Sequence, residues 1–354
     1  MAGQIDELLN IMTERGASDL HLVAGTTPIL RVNQELGPLG AEKLTRESVK
    51  NLSYQMISEE QKATFERERE LDFSYELGLS RFRVNLHFER GNVGCAIRRI
   101  PKYIPSREEL HLPKVIEAFC KEIRGLVLVT GVTGCGKSTT QASMLDYINM
   151  TRGGHVITVE DPIEYVHTNK KCLIEQREVG SDTLSFARAL KRCMRQDPDV
   201  ILVGELRDLE TIQTAITAAE TGHLVLSTLH TPDAAQSVDR MIDVFPPHQQ
   251  PQIRLMLSLN LRGILSQQLI PRKDKKGVVP AVEVLVATPA VQNIIRKANT
   301  QEIYSVIEIG GKFGMQNMDS ALKELYNQGL ISYEDAMIHA QNAESLERKI
   351  KGTV

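Results

Sequence analysis

The first hundred residues mix two hydrophobic periods. Ile5, Leu8, Leu9 and Met12 recur at helical spacing, and Ser18-Asp19-Leu20-His21-Leu22-Val23 then alternates like a half-buried strand. Thr26-Thr27-Pro28 marks a turn before a second strand, Ile29-Leu30-Arg31-Val32. The stretch Glu47 to Arg69 carries Leu52, Met56, Ile57 and Phe65 in a polar helical setting. Leu71–Tyr75, Arg81–Leu86 and Val93–Ile100 read as strands with basic outward positions. A small α+β domain is expected over 1–100, followed by a linker over 101–115 punctuated by Pro101, Pro105 and Pro113.

From residue 124 the texture changes. Short, predominantly apolar runs (Leu126–Val129, Val156–Val159, Val200–Val203, Leu224–Leu229) alternate with longer helical patterns. A strand covered by helices on both faces needs apolar residues at every position, so the alternation predicts an α/β domain over 116–354 with a parallel sheet. The remainder, from about Asp233, reads as mostly helical, with breaks at Gly310-Gly311 and Gly329. Neither an internal repeat nor a low-complexity segment is visible.

One segment carries specific chemistry. Gly131-Val132-Thr133-Gly134-Cys135-Gly136-Lys137-Ser138 fits G-x-x-x-x-G-K-[ST], directly after the strand Leu126–Val129 and before a helical stretch opening at Thr139. Such glycines let backbone N–H groups curl round a phosphate, a lysine at Lys137 reaches the β- and γ-phosphates, and the Ser138 hydroxyl can ligate Mg²⁺. The apolar strands after it also end in polar residues: Glu160-Asp161 with Glu164 beyond, Gly204-Glu205, and His230. Ligands of open parallel sheets bind outside the carboxyl ends of the strands, so these groups point to one site.

Glu205 is the candidate to orient or deprotonate an attacking water. Glu160, Asp161 and Glu164 are candidates to hold Mg²⁺, partly through water, together with Ser138 and Glu205. His230 suits contact with a γ-phosphate. His223 cannot share an ion with it, because seven residues of strand separate the two by roughly 23 Å. Arginines are plentiful (Arg81, Arg83, Arg90, Arg98, Arg99, Arg192, Arg195, Arg207), and in a ring assembly some would reach a neighbour's γ-phosphate.

Composition narrows the rest. With 42 Lys+Arg against 45 Asp+Glu, a net charge of −3, no Trp and 5% aromatics, nothing favours nucleic acid. The most apolar stretch, Val278–Ile295, is broken by Pro280, Glu283, Pro289 and Gln292, so no membrane span is expected. The opening residues lack a secretory signal, and five cysteines without a C-x-x-C pair fit the reducing cytosol.

The segments Gly131–Thr140 (GVTGCGKSTT), Val156–His167 (VITVEDPIEYVH), Gln196–Ile212 (QDPDVILVGELRDLETI) and Thr221–Thr231 (TGHLVLSTLHT) resemble the Walker A, Asp box, Walker B and His box of secretion-superfamily ATPases. With Ser18–Leu22 and Phe245-Pro246-Pro247, the chain resembles the PilT-type retraction ATPases of type IV pili over nearly its whole length. The resemblance implies a PAS-like first domain, a RecA-like second domain and a homo-hexamer holding ATP and Mg²⁺ between subunits. It implies work on an inner-membrane platform protein of the PilC type from the cytoplasmic face, alongside paralogous pilus ATPases.

By the same resemblance Gly131, Thr133, Gly134, Cys135, Gly136, Lys137, Ser138 and Thr139 hold nucleotide, and Glu205 is the catalytic carboxylate. Glu160 and Glu164 belong to the Asp box, His223 and His230 to the His box, and Arg81, Arg98 and Arg195 approach nucleotide. Cys135 stands where the family has Ser, which suggests sensitivity to thiol reagents, and Pro232-Asp233 where it has Asn-Asp. Ala290–Asn299 (AVQNIIRKAN) departs from AIRNLIREGK, a motif tied to retraction in that family. The alternatives are therefore a pilus-assembly or type II secretion motor, or a nucleotide-binding switch with weak hydrolysis assisting another motor.

Overall fold

The computed structural model describes residues 4–32, 35–78 and 80–352. The chain divides into two compact units: Met1–Tyr103 with Glu164–Val166, and Ile104–Ile163 with His167–Val354. No helix among the described residues is long and apolar enough to cross a membrane.

In the first unit β1 (Asp19–Leu22), β2 (Ile29–Val32), β3 (Glu35–Pro38), β4 (Glu70–Leu77), β5 (Ser80–Glu89) and β6 (Asn92–Ile100) form one sheet. Its order is β3-β2-β1-β6-β5-β4, with every pairing antiparallel. The alternation in β5 puts Phe82, Val84 and Leu86 inside and leaves the intervening Arg81, Arg83 and Asn85 only partly covered. The helix Gln4–Glu14 buries Ile5, Leu9 and Met12 in the same core. The polar stretch read as one helix is two, Arg46–Tyr54 and Glu59–Glu68, because Ser58 and Gln61 form a capping box that restarts the helix.

The second unit contains β7 (Gly125–Thr130), β8 (Gly154–Glu160), β9 (Cys172–Glu178), β10 (Val200–Val203), β11 (Leu224–Leu229), β12 (Leu261–Pro271) and β13 (Val278–Val286). The order is β13-β12-β7-β11-β10-β8-β9, parallel except where β13 turns back on β12. Every residue of β7, β10 and β11 is buried. Leu126 and Leu128 feed one core while Val127 and Val129 feed another on the opposite face, which explains the uninterrupted apolar runs.

The remainder after Asp233 is mostly helical, as the pattern predicts, but it also holds β12 and β13, which the pattern does not. In β12, Leu261, Ile264, Leu265, Leu269 and Ile270 fall at helix-like intervals, yet the segment pairs along its length with β13 and with β7. The last three helices, Met318–Asn327, Tyr333–Ile338 and Ala343–Lys351, are started by side-chain caps from Asn317, Ser332 and Asn342. Buried Glu283 on β13 joins them to the sheet: it accepts the Ala234 N–H at 2.9 Å and lies 3.4 Å from Gln341 Nε2. Ala290–Asn299 contributes the helix Pro289–Arg296.

Gly263 lets β12 and the helix Ile116–Lys121 approach closely, since a Cβ there would lie 2.1 Å from the Phe119 ring. Gly263→Ala is expected to cost about 1–3 kcal/mol by overpacking, read as a lower denaturation midpoint with an unchanged slope. Burial pushes the Glu283 carboxyl from its ordinary 4.5 up to about 7, helped by nearby Asp233 and opposed by the Ala234 and Gln341 hydrogen bonds. Below about pH 4.5 the group is protonated in both folded and unfolded chains. As pH rises towards about 7 the unfolded chain releases the proton while the folded chain retains it, so stability falls. Denaturant melts from pH 5 to 8 should show a loss on the order of 2–3 kcal/mol that Glu283→Gln largely removes.

Candidate active site

The parallel register aligns the strand ends: Thr130 pairs with Leu229 of β11, and Val203 of β10 pairs with Ser227 and Val159. The loop Gly131–Ser138, His230, Glu205 and Glu160 therefore issue from one edge of the sheet. The loop needs its first glycine. Gly131 has φ 140°, and a Cβ there would sit 2.4 Å from the Gln267 carbonyl oxygen and 2.6 Å from Cys135 Sγ. Gly136, at φ 86°, opens the helix Lys137–Thr151 without a side-chain cap, leaving its N-terminus to the loop.

Thr133, Gly134 and Ser138 are exposed on this loop, and Thr139 is half-buried. Lys137 is buried beneath it: Nζ donates to the carbonyls of Gly131 at 2.9 Å and Val132 at 3.0 Å. Burial lowers the pKa of this ammonium, with Cys135 and Glu205 pulling the other way. Cys135 is buried and its thiol pKa is raised by desolvation, which reverses the expected sensitivity to thiol reagents.

Hydroxyls of β11 hold the turn that presents Glu205. Ser227 Oγ donates to the Val203 carbonyl at 2.7 Å and Thr228 Oγ1 to that of Gly204 at 2.6 Å. Glu205, 9% exposed, ion-pairs with Arg207 through Oε1, and its Oε2 lies 3.4 Å from His230 Nε2. The bond to Glu205 raises the Arg207 pKa. Glu160 accepts from Thr158 Oγ1 at 2.6 Å and Gln176 Nε2 at 3.1 Å. The carboxylate of buried Glu178 accepts the Ile163 N–H at 3.0 Å and so fixes the loop that follows Glu160.

Other expected site residues lie elsewhere in the chain. Arg195 is exposed in the turn before β10, and His223 precedes β11, where Nδ1 is 2.9 Å from the Ala218 carbonyl. Both are at the opposite edge of the sheet from the loop. Glu164 groups with the first unit, where Arg81 pairs with Glu76 at 2.8 Å and Arg98 with Asp19 at 2.8 Å. The desolvation that would raise the Asp19 pKa is outweighed by Arg98 and Ser18, which lower it. Gln267, against the loop, was not expected; its only signal was its place between apolar residues of a segment read as helical.

The chemistry of this edge suits a nucleoside polyphosphate: exposed backbone at a helix N-terminus, a lysine under the loop, a serine hydroxyl, and a carboxylate flanked by histidine. Residues 108–338 match the family described as Type II/IV secretion system protein, and the chain belongs to that family of ATPases. It is 48% identical over 342 residues to the type IV pilus retraction ATPase PilT of Pseudomonas aeruginosa, across 96% of this chain and 99% of that protein. It is 43% identical over 349 residues to the type IV pilus ATPase PilU of the same organism, across 98% and 91%. A crystal structure of the pilus retraction motor PilT with bound ADP matches with a TM-score of 0.91 at 45% identity, covering 98% of this chain and all of that one. The α/β class and the PilT-type resemblance expected from the sequence are thus borne out.

All five cysteines are buried. A neutral disulfide reagent should titrate essentially no fast thiol in the native protein and five after denaturation. A fast-reacting thiol abolished by Cys135→Ser would show that the loop does not shield its sulfur in solution.

Proposed function

We propose that the chain is an ATP-hydrolysing hexameric motor that powers type IV pilus retraction. The observation that carries this reading is the meeting of the Lys137 loop and the Glu205–His230 pair at one edge of a parallel sheet. The loop N–H groups and Lys137 would bind the β- and γ-phosphates, and Ser138 with Glu160 and Glu205 would hold Mg²⁺, partly through water. Bound Mg²⁺ supplies charge neutralisation at the phosphates. Glu205 orients the attacking water and accepts its proton, while His230 steadies the carboxylate and faces the γ-phosphate. Accepting that proton requires Arg207 to loosen its hold on Glu205, a change suited to coupling turnover to motion.

Arg195 and His223 fit a ring in which one copy's far sheet edge serves a neighbour's nucleotide, and Arg81, Arg98 and Glu164 are assigned to such shared contacts. The names of the relatives support work on a type IV pilus; action from the cytoplasmic face of the inner membrane through a platform protein is part of the same proposal. No feature of the charge favours nucleic acid as the cargo.

The test is phosphate release from Mg-ATP over a range of protein concentrations. The specific rate should rise with concentration, and Glu205→Gln should lower kcat at least about 100-fold while nucleotide still binds. Unchanged turnover in Glu205→Gln overturns the catalytic assignment. A negligible wild-type rate with tight binding would instead identify a nucleotide-dependent switch.

A further inference from the structure

The strand β7 ends at Thr130, paired with Ser266 of β12, but β12 runs on to Pro271. This overhang forms a wall beside the Gly131–Ser138 loop. Gln267 is the first residue of the wall and is 1% exposed. Its Nε2 donates to the Cys135 carbonyl at 2.5 Å, and its Oε1 accepts from Thr140 Oγ1 at 3.0 Å. Its own carbonyl oxygen is the atom that a Cβ at Gly131 would strike. One side chain and its backbone thus touch the loop at its start, at its middle and in the first turn of the helix beyond.

The alternation of the strand repeats the contact two residues on, where Leu269 would meet a Cβ placed at Gly136 at 3.6 Å. Gln268, between them, turns to the other face and lies 3.1 Å from His339 Nδ1. A buried amide is retained only where both of its ends are satisfied, and here both partners belong to the loop and its helix. A loop bonded at Cys135, backed at Gly131 by the Gln267 carbonyl and anchored through Thr140 in the helix that follows presents its N–H groups already arranged, so less ordering remains when a phosphate arrives.

We propose that Gln267 is a positioning residue for nucleotide binding, clamping the Gly131–Ser138 loop from β12 so that its phosphate-binding shape exists before the ligand does. The inference rests on the reading that this loop binds nucleotide phosphate. Gln267 touches no reacting atom and acts through Cys135, Thr140 and Gly131. Its loss should therefore weaken binding more than chemistry.

The experiment uses the full chain and measures Mg-ADP affinity together with KM and kcat for phosphate release. Gln267→Met, similar in length but without the amide, should raise Kd and KM roughly 10- to 100-fold with kcat within about threefold. Thr140→Val, which removes one partner of the amide, should act in the same direction, and combining the two should cost less than the product of the separate losses. Gln268→Met, on the other face of the strand, should leave Kd unchanged. If Gln267→Met fails to fold, the effect of Thr140→Val on Kd decides the matter. Unchanged Kd in Gln267→Met and Thr140→Val, or fully multiplicative losses, overturns the clamp. Lys137→Ala separates the two readings: lost binding there beside unaltered binding in Gln267→Met refutes the clamp alone, whereas retained binding in Lys137→Ala refutes the phosphate site and the clamp together.

Discussion

A strand buried on both faces can satisfy its backbone only through neighbours on both edges, and β7 meets that demand with parallel partners, β11 on one side and β12 on the other. Parallel pairing brings the carboxyl ends of successive strands to the same side of the sheet. The chemistry of the site follows from this constraint. Lys137 reaches the edge because its loop leaves β7, Glu205 because its turn leaves β10, and His230 because β11 ends there. Shifting the register of any one strand would separate groups that have no other reason to meet.

The parts of this arrangement that could be read in advance are those in which one residue type had one physical use. Leu126–Val129 and Val200–Val203 are apolar throughout because both faces are covered, Leu224–Leu229 departs from this only at Ser227 and Thr228, and all three were legible as buried strands. The loop was legible because three glycines, a lysine and a serine at this spacing between a strand and a helix serve one chemistry, the cradling of a phosphate. β12 was not, because its apolar residues fall at helix-like intervals around Ser266 and Gln267, which are buried as partners of Thr130 and Thr140. β9 was missed for the opposite reason. Among the described residues it pairs only with β8, and its exposed and half-buried positions admit Glu175, Gln176 and Arg177.

Distance along the chain set the other limit. The bond from Gln267 to Cys135 joins residues 132 apart in sequence, and that from Thr130 to Ser266 joins residues 136 apart. Local spacing carries no trace of such contacts. The same holds for Glu283, whose carboxylate ties the start of the helix Ala234–Asp243 to Gln341 near the end of the chain. In the sequence it was only a charge interrupting an apolar run. In the fold it is the buried polar joint between the sheet and its last helices.

The position of Lys137 has a consequence for selectivity. Its ammonium is already solvated by the carbonyls of Gly131 and Val132, so a ligand must win it in an exchange rather than capture a bare charge. Those carbonyls act as an internal competitor present at fixed, high effective concentration. A weakly charged anion gains little from such an exchange, whereas a polyphosphate that also engages the loop amides can displace both carbonyls at once. On the proposed reading the loop would favour ligands of high charge density, independently of any contact to a base or sugar.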